Sequence, residues 1–260
     1  MSLTTLIFSR NRACQLELLL RNLSVPATVL YFYDPEFKAG YDKLIKMYPS
    51  VNFISRYDFK KQLIEIIKKG TKYIMLLVDD DVMIEPFHEN CPEFIEFKKN
   101  KKILTLTLRM SPDYRYKNLP VLNNNKWEWK PYYKGGKSYN HHLRQWGFPM
   151  AVGSHIFRRA DILPTILANE MKNPNFLEAA LNNNIPDRPL MMCFSKPRII
   201  NNIANQVQTD FPSHISGISA EELEKRFLNG ERLSFTDIKE KAAKAKDCYL
   251  KGAYKFEAYV

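Results

Sequence analysis

Short β-type runs alternate with helical patterns along the first third of the chain, and this alternation limits what it can fold into more than any other feature. The apolar run 4–8 predicts a strand, followed by the polar turn Ser9-Arg10-Asn11-Arg12. Leu16, Leu19, Leu20 and Leu23 then recur at helical spacing. A second strand over 27–33 ends at Asp34-Pro35, and a helix carrying Leu44, Ile45 and Tyr48 leads to a third strand over 51–54. Phe59, Leu63, Ile66 and Ile67 mark another helix, stopped by Gly70. Residues 73–78 are apolar without alternation, as a strand covered on both faces must be. Strand, helix, strand, helix implies an α/β fold: a mostly parallel central sheet with helices on both faces. Ligands of such sheets gather beyond the carboxyl ends of the strands. That rule puts Ser9 to Arg12, Asp34 and Asp79 to Asp81 along one rim.

The second half is less regular. Residues 102–109 alternate as a strand does, 161–168 and 175–183 read as helices, and 190–194 and 199–203 read as strands. Residues 221–228 and 236–250 predict two charged amphipathic helices. After the strand 102–109, residues 110–144 form a long polar stretch with Trp127, Trp129, Tyr132, Tyr133, Gly135 and Gly136, and long loops in compact domains tend to be functional.

With 45% hydrophobic and 13% aromatic residues the chain can build a core, which excludes a disordered or fibrous protein. No apolar run reaches the roughly 18 residues of a membrane-spanning helix. Cys14, Cys91, Cys193 and Cys248 are scattered without a CxxC pair, which argues against a disulfide scaffold or cysteine zinc site and for a reducing cytoplasm. No basic segment leading into an apolar one follows Met1, so no secretory signal is expected. The net charge of +11 suits phosphate-rich partners: nucleic acid, nucleotides or an anionic membrane face. A solubilising lysine surface accounts for it equally well. Neither GxGxxG after the first strand nor GxxxxGK[ST] is present, which argues against dinucleotide-fingerprint and P-loop chemistry.

Asp79-Asp80-Asp81 is the most informative motif. Three adjacent carboxylates at the end of a buried strand repel one another and call for a compensating cation. Hard oxygen ligands suit Mg²⁺ or Mn²⁺, which bridge protein carboxylates to a diphosphate and offset charge on it as it departs. A solvated acidic turn is the alternative.

The opening strand and turn Leu6-Ile7-Phe8-Ser9-Arg10-Asn11-Arg12, with the strand running into Val78-Asp79-Asp80-Asp81, resembles the GT-A fold of family 2-type glycosyltransferases and their DxD motif. The segments Gly153-Ser154-His155-Ile156-Phe157-Arg158, Asn173-Pro174-Asn175-Phe176-Leu177-Glu178 and Asn205-Gln206-Val207-Gln208 extend the similarity toward a small bacterial and viral subgroup, over about residues 4 to 235. Asp34-Pro35-Glu36 departs from the usual glycine-serine ending of the second strand. The resemblance implies a GT-A domain over 1–219, with a donor half to about 109 and an acceptor half beyond, and a C-terminal helical extension over 220–260. It implies a nucleoside-diphosphate-sugar donor (a UDP-sugar by frequency), a glycan or glycolipid acceptor and a metal. Asp81 would ligate the metal, with Asp79 as second ligand or through water, and Asp80 would lie near the donor ribose. Ser9 to Arg12 and Asp34 would surround the nucleoside. Arg10 or Arg12 would grip the diphosphate, since guanidinium is a planar bidentate donor.

An inverting transfer needs a carboxylate to deprotonate the acceptor hydroxyl. The resemblance places it about a hundred residues after DxD, where Glu178 stands at a helix start; a helix-terminal Glu that only favours the dipole is the competing reading. Asp161 is a second candidate, or a helix cap. His214 or His155 would complete the metal shell, with acceptor contact an equal reading for His155. Asn205 and Gln208 offer amide hydrogen bonds to phosphate or sugar, or serve packing. The aromatic loop and Trp146 would stack on sugar or close over the donor, or else pack in the core. The lysines of the terminal helix, Lys239, Lys241, Lys244, Lys246 and Lys251, would meet anionic lipid heads in a peripheral membrane contact, or merely solvate that face. Two rival functions fit less well. A nucleic-acid-binding protein lacks any recognisable motif here, so no nucleic-acid partner is expected. A nucleotidyltransferase acting on a sugar phosphate usually carries a glycine-rich phosphate loop near its first strand, and none is seen.

Overall fold

A computed structural model describes residues 2–114, 120–129, 133–134, 137–138, 144–208, 217–251 and 254–259. His214, Tyr132, Gly135 and Gly136 lie outside the described residues. The elements run β1 (Leu3–Arg10), α1 (Ala13–Asn22), β2 (Ala27–Phe32), α2 (Lys38–Met47), β3 (Asn52–Ser55), α3 (Phe59–Lys69), β4 (Tyr73–Val78), β5 (Asp81–Met83), α4 (Pro92–Lys99) and β6 (Ile103–Thr107). There follow β7 (Lys126–Glu128), β8 (Tyr133–Lys134), β9 (Lys137–Ser138), β10 (His155–Arg158), α5 (Arg159–Ala168), α6 (Pro174–Asn183), β11 (Leu190–Cys193) and β12 (Ile199–Ile203). The chain closes with α7 (Ala220–Leu228), β13 (Glu231–Leu233), α8 (Phe235–Ala242), β14 (Tyr249–Lys251) and β15 (Phe256–Ala258).

The central sheet has the order β3-β2-β1-β4-β10-β6-β11-β7. β1, β2, β3, β4, β6 and β11 run one way; β10 and β7 run against them. The expected α/β architecture is therefore present. In β4, Tyr73, Met75 and Leu77 join a core with α1, α2 and α4, whereas Ile74 and Leu76 point the other way, into a core with α3, α5 and α6. A strand with helices on both faces must be apolar at every position, which is why 73–78 shows no alternation. A second sheet, β14-β12-β5, stands against the end of β4 and carries the residues that follow it.

Two expectations need correction. Residues 220–260 are not a helical appendage: α7 and α8 alternate with β13, β14 and β15, and Leu223, Phe227, Leu233, Ile238 and Leu250 belong to the same core as β1 and β4. The helix expected over 236–250 stops at Ala242, because the chain must turn to pair β14 with β12. The aromatic stretch is core in part: Trp127 and Trp146 are buried edge to face, ring centres 4.6 Å apart, and the Trp127 indole N–H donates to the Trp146 carbonyl. No helix among the described residues is long and apolar enough to cross a membrane.

Candidate active site

The carboxyl ends of the parallel strands open into one cleft of about 350 Å³. β1 and its turn bring Ser9, Arg10 and Arg12 to it; the end of β4 brings Asp79 and Asp80. The turn after β3 adds Arg56, the segment after β6 adds Arg109, the turn before β10 adds Gly153, and α6 adds Glu178. Asn201 from β12 and Tyr249 from β14 close the wall.

Arg12 occupies the centre. Its Nη1 donates to Asp79 Oδ1 and Asp80 Oδ2, both at 2.9 Å, and its Nε and Nη2 donate to the side chain and carbonyl of Asn205. Burial opposes the guanidinium charge, but Asp79 and Asp80 outweigh it and hold Arg12 above its ordinary value. Asp79 accepts further from the Arg10 backbone N–H at 2.9 Å. Asn201, which faces Asp81 across the β12–β5 pair, donates to Asp80 at 2.8 Å and to Asp81 at 3.2 Å. Asp81 also accepts from the Val78 N–H at 3.1 Å. The compensating charge expected from a bound cation is thus supplied first by Arg12. Asp79 and Asp80 line the cleft; Asp81, expected as the principal metal ligand, lies fully enclosed behind them. Burial, with Asp80 adding to it, pushes the Asp81 carboxyl up to about 6. Asp79 is raised too, by burial, with Arg12 pulling against it.

The turn after β1 is shaped by Asn11, whose φ of 54° is a left-handed conformation that asparagine tolerates. Asn11 and Asp34 clasp each other: the side-chain amide donates to Asp34 Oδ2 at 2.6 Å, and the Asp34 N–H donates to Asn11 Oδ1 at 2.8 Å. Arg10 joins from 3.2 Å. The Asn11 amide, then Arg10, hold the Asp34 carboxyl below its usual range against the effect of burial. Asp34 does not line the main cleft but an adjoining hollow, shared with Arg10, Asn205 and Val207. Arg10 and Arg56 lie over the Phe32 ring, 5.5 and 4.4 Å from its centre. Ser9 shares a 2.6 Å hydrogen bond with the Tyr41 hydroxyl.

Opposite the aspartates, Asn173 caps α6 by accepting from the N–H groups of Asn175 and Phe176, and Pro174 takes the first helical position, where no N–H is needed. This start aims Glu178 back at the sheet, where its Oε2 accepts from the Val152 N–H at 2.9 Å. Burial raises the Glu178 carboxyl, with the Val152 N–H and Arg109 partly offsetting it. Arg109 donates to Gln145 and lies 5.8 Å from the Tyr249 ring centre.

Two other candidates lie away from the cleft. His155 sits inside the sheet, opposite Leu76 and Thr107; burial drives its value down to about 3, so it is neutral. Asp161 is at the opposite edge of the sheet, held by Arg188 at 2.8 and 2.9 Å, too far round to serve as the base. Asn205 meets Arg12, and Gln208 lines the cleft. Sequence reasoning missed Arg56, Arg109, Asn201 and Tyr249. The strand-end rule that found Asp79 would have flagged Arg56 and Arg109. Asn201 was visible as a polar residue interrupting the apolar run 199–203. Tyr249 carries no signal, because the residues before it have helical spacing.

No group of three or more His, Cys, Asp or Glu side chains among the described residues forms a metal shell. Mg²⁺ and Mn²⁺ need only one or two carboxylates where a diphosphate supplies the other oxygens, and Asp79 and Asp80 at the cleft wall meet that requirement.

No family model matches the chain. A curated relative, the bifunctional glycosyltransferase pgtA of Dictyostelium discoideum, is 25% identical over 283 residues, covering 90% of this chain and 36% of that protein. The chain thus spans about a third of that relative's length. Residues 1–349 of S. aureus TarS, solved in complex with UDP, match 78% of this chain and 61% of that one, at 12% identity and a TM-score of 0.44. The bifunctional IspDF of Campylobacter jejuni matches 70% of this chain and 47% of its own, at 11% identity and a TM-score of 0.37.

Proposed function

We propose that the protein is a metal-dependent, inverting glycosyltransferase that moves a sugar from a nucleoside-diphosphate donor, a UDP-sugar by preference, to a glycan or glycolipid acceptor. The observation that carries this reading is the pairing of a guanidinium-bound, buried aspartate wall with a separate, half-buried carboxylate, Glu178, in one cleft at the strand ends. The sequence similarity to pgtA supports glycosyl transfer as the chemistry.

The donor diphosphate lies against Arg10, whose guanidinium is accessible at the rim, with Arg12 behind it holding the aspartate wall. Asp79 and Asp80 would hold Mg²⁺ or Mn²⁺, which supplies positive charge to the departing diphosphate. Arg56, Phe32 and the Asn11–Asp34 clasp bound the nucleoside end. Glu178 takes the acceptor hydroxyl proton on its carboxylate as the acceptor oxygen bonds to the sugar's anomeric carbon. The bond from that carbon to the diphosphate oxygen breaks, and its electron pair leaves with the diphosphate. A base raised by burial keeps more driving force for the proton than an ordinary carboxylate. Arg109, beside Tyr249, keeps Glu178 ionised enough to act.

Release of nucleoside diphosphate from a panel of nucleotide sugars, followed with Mn²⁺ and a mixed glycan acceptor, tests the reading. Release that requires both acceptor and metal supports it. Pyrophosphate release from an NTP and a sugar phosphate, with no sugar transfer, would replace it with nucleotidyl transfer.

A further inference from the structure

The edge of the sheet opposite the cleft is a row of cations. Lys72 precedes β4, Arg158 and Arg159 end β10 and begin α5, Lys101 and Lys102 precede β6, and Arg188 precedes β11. These four strands are neighbours in the sheet, so the row extends about 14 Å. Hydrogen bonds stitch it together: the Arg159 backbone N–H donates to the Lys72 carbonyl at 2.9 Å, the Leu190 N–H to the Lys102 carbonyl at 3.1 Å, and the Arg188 guanidinium to the Lys101 carbonyl. The carboxyl ends of α3 and α4 add Lys68, Lys69 and Lys99 to the same edge.

The arginines of this row turn inward. Arg158 donates to the Asn100 carbonyl and lies 4.3 Å from the Phe97 ring centre, Arg159 donates to the Lys68 carbonyl, and Arg188 binds Asp161. The lysines lie on the surface: Lys68, Lys69, Lys72, Lys99, Lys101 and Lys102 are all exposed, Lys101 donating from its ammonium to the Lys98 carbonyl at 3.0 Å. The ion pairs that lysines make among the described residues involve others. Lys101 is held below the ordinary lysine value, first by desolvation and then by Arg158, Lys72 and Arg188 beside it. Asp161 is spent on Arg188, Glu89 binds Ser2, and Asp187 and Glu128 stand only at the β11–β7 end. In the terminal helix α8, by contrast, both lysines are paired, Lys239 with Glu85 and Lys241 with Asp237, which also takes Lys255; Lys244 and Lys246 follow the helix.

We infer that this lysine edge, rather than the C-terminal helix, docks on an anionic lipid bilayer, with the cleft facing away from it. Lysine is a hydrated point charge on a flexible stem, suited to diffuse charge, whereas reading nucleic acid calls for arginine forks or aromatic platforms. Among the described residues no exposed aromatic ring stands with these lysines: Trp129, half-buried, donates its indole N–H to the Arg188 carbonyl, and the exposed Tyr57 follows β3 at the other end. The six residues of β4 span about 20 Å, so the acceptor end must stand at least that far above the headgroups. This docking holds whether or not the cleft transfers sugar.

Each lysine near an anionic leaflet is worth about fivefold in partitioning, so replacing three loses about a hundredfold. The test is co-sedimentation of the protein with vesicles of phosphatidylcholine, with and without about 30% phosphatidylglycerol. Expected is binding to the anionic vesicles alone, its loss at about 0.5 M salt, a hundredfold drop in the Lys99→Gln/Lys101→Gln/Lys102→Gln variant, and little change in Lys244→Gln/Lys246→Gln. If the triple variant fails to fold, Lys72→Gln and Lys102→Gln singly should each cost about fivefold. Equal binding to neutral vesicles, unchanged binding by the edge variants, loss on substituting the terminal helix instead, or binding to an oligonucleotide but not to vesicles overturns the inference.

Discussion

Arg12→Gln tests how the acidic wall is kept in place. Arg12 is the cation bonded to both Asp79 and Asp80, and all three side chains are at most 11% exposed. Removing one partner of a buried ion pair costs about 3–5 kcal/mol, because the remaining charge stays buried and unpaired. For a chain of this length each kcal/mol moves Tm by about 2–4 °C, so a fall of roughly 10 °C is expected in EDTA near pH 7.5. The cost requires ionised carboxylates, and burial raises Asp79 above its usual range. The loss should therefore shrink as the pH is lowered toward about 5, where the aspartates take up protons more readily than free ones. Neutralising the wall in the same background, with Asp79→Asn and Asp80→Asn, should recover at least half of the lost Tm. Thermal unfolding by circular dichroism at the two pH values is sufficient. A fall of less than about 2 °C, or an equal fall that neutralisation does not restore, would refute the assignment of Arg12 as the compensating charge.

Glu178→Gln should leave nucleotide-sugar affinity within about twofold and lower turnover at least a hundredfold, the lower end of what a positioned base contributes; a steady-state assay beside a binding titration separates the two. With Glu178 intact, the acid limb of kcat/KM should fall above the ordinary glutamate range, because burial raises this carboxyl and a base works only when deprotonated. Trp127→Ala should destabilise the fold by about 3–5 kcal/mol in a denaturant melt while nucleotide affinity stays unchanged, since its ring packs on Trp146 away from the cleft.

The fold was legible where one physical rule decided the pattern. β4 is bounded as its apolar run predicts, Tyr73 to Val78, because burial on both faces leaves no room for a polar residue. The strand-end rule alone puts Ser9, Arg10, Arg12 and Asp79 on one rim, and they line one cleft. The readings that failed depended on tertiary partners. Residues 243–251 carry lysines at helical spacing, yet Cys248 and Leu250 are needed in the core and β14 must pair with β12, so packing overrode periodicity. For Trp127 the sequence left a lid and core packing both open, because its surroundings are polar; its partner, Trp146, comes from beyond the loop and decides for the core. The triplet signalled a need for positive charge without saying from where, since Arg12 lies 67 residues from Asp79 along the chain. Asp161 looked like a base by residue type alone; only the sheet direction shows that β10 and α5 carry it to the other edge.

Isothermal titration of UDP, GDP and dTDP into the protein, with Mn²⁺ and then with EDTA, bears most directly on the cleft as a seat for a metal-bound nucleoside diphosphate. At least one of the three should bind with Mn²⁺, weaken at least tenfold in EDTA, and lose its metal dependence in Asp80→Asn. Heats at the level of dilution for all three in either buffer, or equal affinity with and without the ion in both proteins, would contradict it.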